Sequence, residues 1–176
     1  MTFANPAGIA SAAAAGYVRA LLDLLGPQDP LAVAAELVPW LERRVAGLDR
    51  ARLRRPEAPG KWSVIEVIQH LADAEMVMSF RIRMALTEDQ PPLQAYDQDQ
   101  WVSVLRYAEV PLDLALAQLR GLRGGNLHLW PTLTPEQLER AGLHSERGLE
   151  SVDRMIRLMA GHDLVHRRQI DRILAH

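Results

Sequence analysis

Two histidines four residues apart, His162 and His166, are the first residues in this 176-residue sequence whose type and spacing point to chemistry. On a helix they stand one turn apart and roughly 40° round the axis, so both imidazoles can converge on one point. Neutral imidazole nitrogens are common ligands for divalent transition metals. The same pair also fits two core histidines satisfied by hydrogen bonds, because His166 falls within an apolar stripe and His162 on its flank. Two carboxylates sit on apolar faces as well, Glu75 beside Leu71 and Met78, and Asp163 beside Met159 and Ile170. An unpaired buried carboxylate is costly. Each therefore demands an arginine, a hydroxyl or a metal-bound histidine as donor, and either one left free would serve as a general base. His70 lies roughly 100° from the centre of its own helix's apolar stripe, a position that by itself reads as surface or semi-exposed. Asp73, three residues further on, either orients that imidazole or is solvated.

Composition narrows the classes of function. The chain has no cysteine, which excludes disulfides, thiolate ligands and a cysteine nucleophile. The formal net charge of -2 gives no broad basic field for nucleic acid or an anionic membrane. The Ala-rich start, Met1 to Gly16, lacks the basic and strongly apolar regions of a signal peptide, and no apolar run reaches the roughly 18 residues of a membrane span. A cytoplasmic protein with neither nucleic-acid nor membrane partners is expected, acting on a small molecule.

Helices must position these side chains. Strand signals are nearly absent, whereas apolar residues recur at three- and four-residue steps. A first helix is predicted from about Gly8 to Leu25 and a second from Pro30 to Leu48, with Pro39 imposing a kink or break. Arg50 to Pro59 reads as a polar connection. Ser63 and Glu66 form a capping box that opens a third helix running to about Leu86. Thr87 to Gln100, with Pro91-Pro92, reads as a long crossover loop. Another helix fits Pro111 to Leu122 or Leu129, weakened by Gly121, Gly124 and Gly125. A short helix follows the capping box Thr134-Pro135-Glu136-Gln137, and the last helix runs from about Leu149 to Leu174. The pattern predicts an all-α protein, a helix bundle with a long crossover. Residues 1–29 read as an N-terminal helical extension and residues 30–176 as the bundle domain.

Several stretches resemble the DinB-like/YfiT-like family of helical metalloproteins. They are Gly60-Lys61-Trp62-Ser63 through His70-Leu71-Ala72-Asp73-Ala74-Glu75, Arg81 to Asp89, and the loop Pro91-Pro92 through Tyr96-Asp97 to Trp101. The likeness resumes at His144 to Gly148 and at Gly161-His162-Asp163-Leu164-Val165-His166 through Gln169-Ile170. This resemblance implies a four-helix bundle, usually a homodimer, and a metal, often zinc or nickel, held by a histidine triad. Carried over residue by residue, the triad is His70, His162 and His166. Asp73, Tyr96, Asp97, Trp101 and Gln169 become candidates for supporting the ligands or lining the pocket, and Glu75 and Asp163 for catalysis.

Three neutral imidazoles leave an ion its full charge and at least one open position. Two chemistries follow. Some relatives resemble bacillithiol- or mycothiol-dependent S-transferases, in which a metal-activated low-molecular-weight thiol attacks an electrophile. Arg81, Arg83, Arg167 and Arg168 would then be available to an anionic thiol, or would form solvated helix faces. The other chemistry is metal-assisted hydrolysis, for which Glu75, Asp163 or Asp97 would be the base. Tyr96 and Trp101 would line the pocket or pin the loop. A non-enzymatic, stress-associated metal-binding module is the third reading, and it requires a closed four-ligand site.

Overall fold

A computed structural model describes residues 11–175. Four long helices form the bundle: α2 (Pro30–Val45), α4 (Val64–Thr87), α6 (Leu112–Leu129) and α8 (Val152–Ala175). The helix that precedes them, α1 (Ser11–Leu25), lies against α8. The predicted beginning of that helix, at Gly8, lies outside the described residues. Short helices α3 (Arg50–Arg54), α5 (Gln98–Val104) and α7 (Pro135–Glu139) occupy the connections.

The capping residues act where the sequence places them. Glu66 accepts a hydrogen bond from the Ser63 backbone N–H at 2.7 Å, and Asp29 accepts from Leu31 N–H ahead of Pro30. Pro39 does not break α2, which runs through it to Val45; its ring sits on the exposed face. The three glycines of α6 do not end it either. The helix continues to Leu129 because Ala115, Leu116, Leu119, Arg123 and Asn126 give it one buried face throughout. The polar connection after Arg50 contains one helical turn, capped by Asp49.

Among the described residues, the crossover and the segment before α8 carry the strands, and one isolated antiparallel bridge joins Pro56 to Ser63. Strand β1 (Pro92–Leu93) pairs parallel to β2 (Ala141–His144), which pairs antiparallel to β3 (Gly148–Ser151). The last helix accordingly begins at Val152, not Leu149. These strands are two to four residues long, too short for an alternating pattern to register. Gly148, at φ +73°, makes the turn into β3.

One core joins α2, α4, α6 and α8 around Leu37, Leu41, Ile68, Leu119 and Ile170. A second, around Ile82, Leu93, Trp130 and Met155, seats the small sheet. Helix α4 packs against α6, α8, α3 and β2, so every residue from Val67 to Glu75 is buried. An amphipathic stripe is therefore the wrong description of this stretch.

Helix α1 crosses α8 at Gly161, where a Cβ would stand 2.4 Å from the Leu21 carbonyl oxygen. Backbone cannot yield as a side-chain tip can. Gly161→Ala is expected to lower stability by about 1–3 kcal/mol, the usual cost of overpacking, despite the better helix propensity of alanine. Chemical denaturation reads the loss, and limited proteolysis should show earlier cutting in α1. An unchanged unfolding midpoint would contradict this close crossing.

Candidate metal centre

His70 on α4 and His162 and His166 on α8 meet in the bundle. The Nε2 atom of His162 lies 3.1 Å from that of His70 and 3.0 Å from that of His166, and one nitrogen from each ring falls within 4.8 Å of the others. His70 and His166 are buried and His162 is partly exposed. The surface position read for His70 from its own helix is corrected: α4 has no solvent face here. Among the described residues, no fourth histidine or carboxylate joins the cluster.

Hydrogen bonding within the cluster leaves nitrogens unsatisfied. His166 Nδ1 lies 2.7 Å from Gln169 Oε1, a carbonyl oxygen that can only accept. The proton therefore sits on Nδ1, and a neutral His166 turns a bare lone pair at Nε2 toward the other two rings. Burial holds all three imidazoles below their ordinary pKa, His166 at about 4, and the neighbouring rings depress His70 and His162 further. All three are neutral at pH 7. Three neutral rings sharing one point cannot all be paired with each other, whereas one cation accepts a lone pair from each. The donor set fits a divalent transition metal. Trp62 closes one side, with its ring centroid 4.9 Å from that of His70 and 6.4 Å from that of His166.

The two buried acids have a partner of their own. Arg123 donates to Glu75 Oε2 at 2.7 Å and to both oxygens of Asp163 at 2.7 and 3.1 Å. Asn126 donates to the other oxygen of Glu75 at 2.6 Å. Burial pushes the Asp163 carboxyl up to about 6 against the pull of Arg123. For Arg123, burial acts to lower the pKa, but the two carboxylates outweigh it and the guanidinium is held as a cation. Glu75 and Asp163 are thus a paired structural set, and neither is a free base.

The remaining candidates separate. Gln169 fixes the His166 ring. Asp73 neither orients His70 nor is solvated: its oxygens accept from Tyr107 at 2.5 Å, Gln118 at 2.8 Å and Gln69 at 3.1 Å. Asp97 is an exposed cap that accepts from Gln100 N–H. Trp101 packs on Tyr96, ring centroids 4.5 Å apart, and pins it. Of the four arginines considered, Arg81 lines the cavity, Arg83 bonds Asn126, Arg167 lies over the Trp40 ring and Arg168 is exposed.

A cavity of about 60 Å³ opens beside His162. Helix α1 walls it with Tyr17, Val18 and Leu21, opposite Leu71 and Met78 of α4. Arg147 and Tyr96 also reach it. Sequence reasoning missed Arg123, Arg147 and Tyr17. Arg123 had a signal: it falls on the apolar face of α6, and two buried acids lacked a donor.

Known proteins resemble this chain in sequence and fold. A protein of Oceanobacillus iheyensis, provisionally named a metal-dependent hydrolase, is 31% identical over 126 residues, 72% of this chain and 73% of that protein. One of Bacillus mycoides with the same provisional name is 31% identical over 130 residues, 74% of this chain and 75% of that protein. The structure of YfiT from Bacillus subtilis, described provisionally as a metal-dependent hydrolase with an unusual four-helix bundle topology, superimposes with a TM-score of 0.77 at 27% identity, covering 82% of this chain and 83% of that one. A mycothiol-dependent maleylpyruvate isomerase shares the fold, with a TM-score of 0.65 at 12% identity over 85% of this chain and 62% of that one. The DinB superfamily matches residues 40–170, a stretch that contains all three clustered histidines and leaves α1 outside, and the chain belongs to that superfamily.

Proposed function

We propose that this protein is a metal-dependent enzyme that transfers a low-molecular-weight thiol to an electrophilic small molecule in the cavity beside His162. His70, His162 and His166 are the ligands in this reading, with zinc or nickel the ions to test first. An ion held there supplies a Lewis acid that lowers the pKa of a nucleophile it binds, thiol or water alike.

The observation that carries the reading is the fate of the acids. Hydrolysis wants a base within hydrogen-bond reach of the attacking water and an acid for the leaving group. Glu75 and Asp163 are both engaged by Arg123, and Asp97 caps a helix. A thiol ionises several units more readily than water and needs no such base. Its proton passes to solvent, its sulfur forms a bond to the electrophilic carbon, and the leaving group departs with the bonding pair. The absence of cysteine suits this chemistry, since no protein sulfur competes for the electrophile. Tyr17 and Tyr96, both pushed up by burial and Tyr96 to about 12, stay protonated and can donate to a leaving group. The provisional names of the relatives favour hydrolysis as the second reading. A closed structural site fits poorly with a cavity that reaches His162.

One assay separates these. The zinc- or nickel-loaded protein is given 1-chloro-2,4-dinitrobenzene, and separately p-nitrophenyl acetate, with and without a small thiol. Thiol-dependent, chelator-sensitive conjugation is expected. Thiol-independent ester turnover would replace transfer by hydrolysis, and no turnover of either kind would leave a metal-binding module.

A further inference from the structure

The cavity beside His162 has a second polar region that the histidines do not use. Arg81 lines it and is 5% exposed, yet among the described residues no carboxylate lies within ion-pair distance of this guanidinium. Its hydrogen bonds go to the Gln94 carbonyl and to the weak acceptor Met78 Sδ at 3.6 Å, and the Tyr96 ring lies 5.9 Å from its Cζ. Burial and the nearby Arg147 bring its pKa down to about 10, with Tyr96, Glu150 and Glu146 acting the other way, so it is a cation at neutral pH.

Arg147 stands in the same cavity wall. Its Nε and Nη2 atoms hold both oxygens of Glu150 at 2.7 and 2.8 Å, which leaves the N–H pair on Nη1 outside that ion pair. At His144, burial first and then Arg147 and Arg81 depress the imidazole to about 4, with Glu150 acting the other way. A buried cation without a counter-ion is costly and is retained where something else supplies the charge.

Position along α4 separates this cation from the histidine cluster. Arg81 follows His70 by 11 residues, three helical turns, so both project from one face of the helix at levels roughly 16 Å apart. Apolar side chains lie in the same cavity, Val18 and Leu21 from α1 and Leu158 and Met159 from α8.

We infer that Arg81 and Arg147 form an oxyanion-binding subsite, which anchors the carboxylate or phosphate of an elongated ligand whose apolar middle lies along α1 and whose other end faces His162. This rests on reading the cavity as the substrate chamber. Guanidinium forks match carboxylate and phosphate alike.

The test titrates hexanoate, hexyl phosphate and hexanol into the full chain, metal-free, by calorimetry and amide chemical shifts. At least one of the two anions should bind and shift residues of α1, while hexanol, with the same tail, binds at least tenfold more weakly. Comparing the two anions tells carboxylate from phosphate. Arg81→Met should weaken anion binding at least tenfold without lowering the unfolding midpoint, because it also removes an uncompensated buried charge. Should that variant fail to fold, Arg81→Gln retains a donor for Gln94 and carries the same expectation. Equal binding of anion and alcohol, or anion binding indifferent to Arg81, overturns the subsite. Zinc titration of the unmodified protein is run in parallel. Zinc binding without anion binding sinks the subsite alone, whereas Arg81-dependent anion binding without any zinc binding sustains the subsite and sinks the metal reading.

Discussion

Arg123→Met is expected to cost about 3–5 kcal/mol of folding stability, the largest loss of any single side chain at the site. The guanidinium is the shared donor of Glu75 and Asp163, and Nη1 also donates to the Ala34 carbonyl at 2.8 Å, which ties α2 to the pair. All three ionic side chains are buried. Methionine fills the volume but leaves two carboxylates in an apolar site with one arginine's worth of donors gone. Most of the cost is that uncompensated charge and not the worth of the original pairs. A rescue follows from this reasoning. Adding Glu75→Gln and Asp163→Asn to Arg123→Met removes both charges and should recover a large part of the loss, so the effects are strongly non-additive. Denaturant unfolding of the parent, Arg123→Met, the Glu75→Gln/Asp163→Asn double variant and the triple variant measures this. An Arg123→Met variant within about 1 kcal/mol of the parent would mean that the carboxylates find other partners or water.

The chemistry of this cluster was half legible in the sequence. Two acids on apolar faces announced a buried partner, and the apolar spacing of α6 puts Arg123 on its inner face. Nothing local says that one guanidinium serves both acids, because Glu75, Arg123 and Asp163 are brought together only by the packing of α4, α6 and α8. The bundle itself was legible, since capping residues and three- to four-residue periodicity act within single helices. Pro39 and the α6 glycines were misleading for the same reason in reverse: their local penalties are outweighed by a buried face that continues past them. His70 shows the limit of the amphipathic reading. A helix enclosed on all sides gives no stripe, and its position relative to a stripe then says nothing about solvent. The resemblance, not periodicity, supplied that histidine. Asp97 and Asp73 were drawn toward the site by their type and neighbourhood, but an aspartate before a helix caps it, and one beside a buried tyrosine accepts from it. The small sheet escaped because its strands are shorter than any pattern that could reveal them.

The second large effect is on metal affinity. His166→Ala should weaken zinc or nickel binding by well over about 100-fold, more than the 10–100-fold typical of disturbing a residue that supports a ligand. The reason is in the protonation pattern. His166 is the ring whose lone pair is already set toward the cluster, because Gln169 takes the proton-bearing nitrogen at 2.7 Å. Losing it removes the ligand that is best prepared and leaves His70 and His162 free to satisfy one another across 3.1 Å. Gln169→Leu keeps the ligand but frees its tautomer and orientation, so that variant should fall within the 10–100-fold range. Far-UV circular dichroism should barely change in either, since neither side chain caps a helix or bonds to the backbone. The graded order, alanine at 166 far worse than leucine at 169 and both folded, is specific to a metal held by Nε2 of His166. Competition against a chromophoric chelator reads both affinities. Full retention of metal by His166→Ala, or a Gln169→Leu loss as large as that of the ligand itself, would remove His166 from the ligand set and with it the converging geometry on which the proposed activity depends.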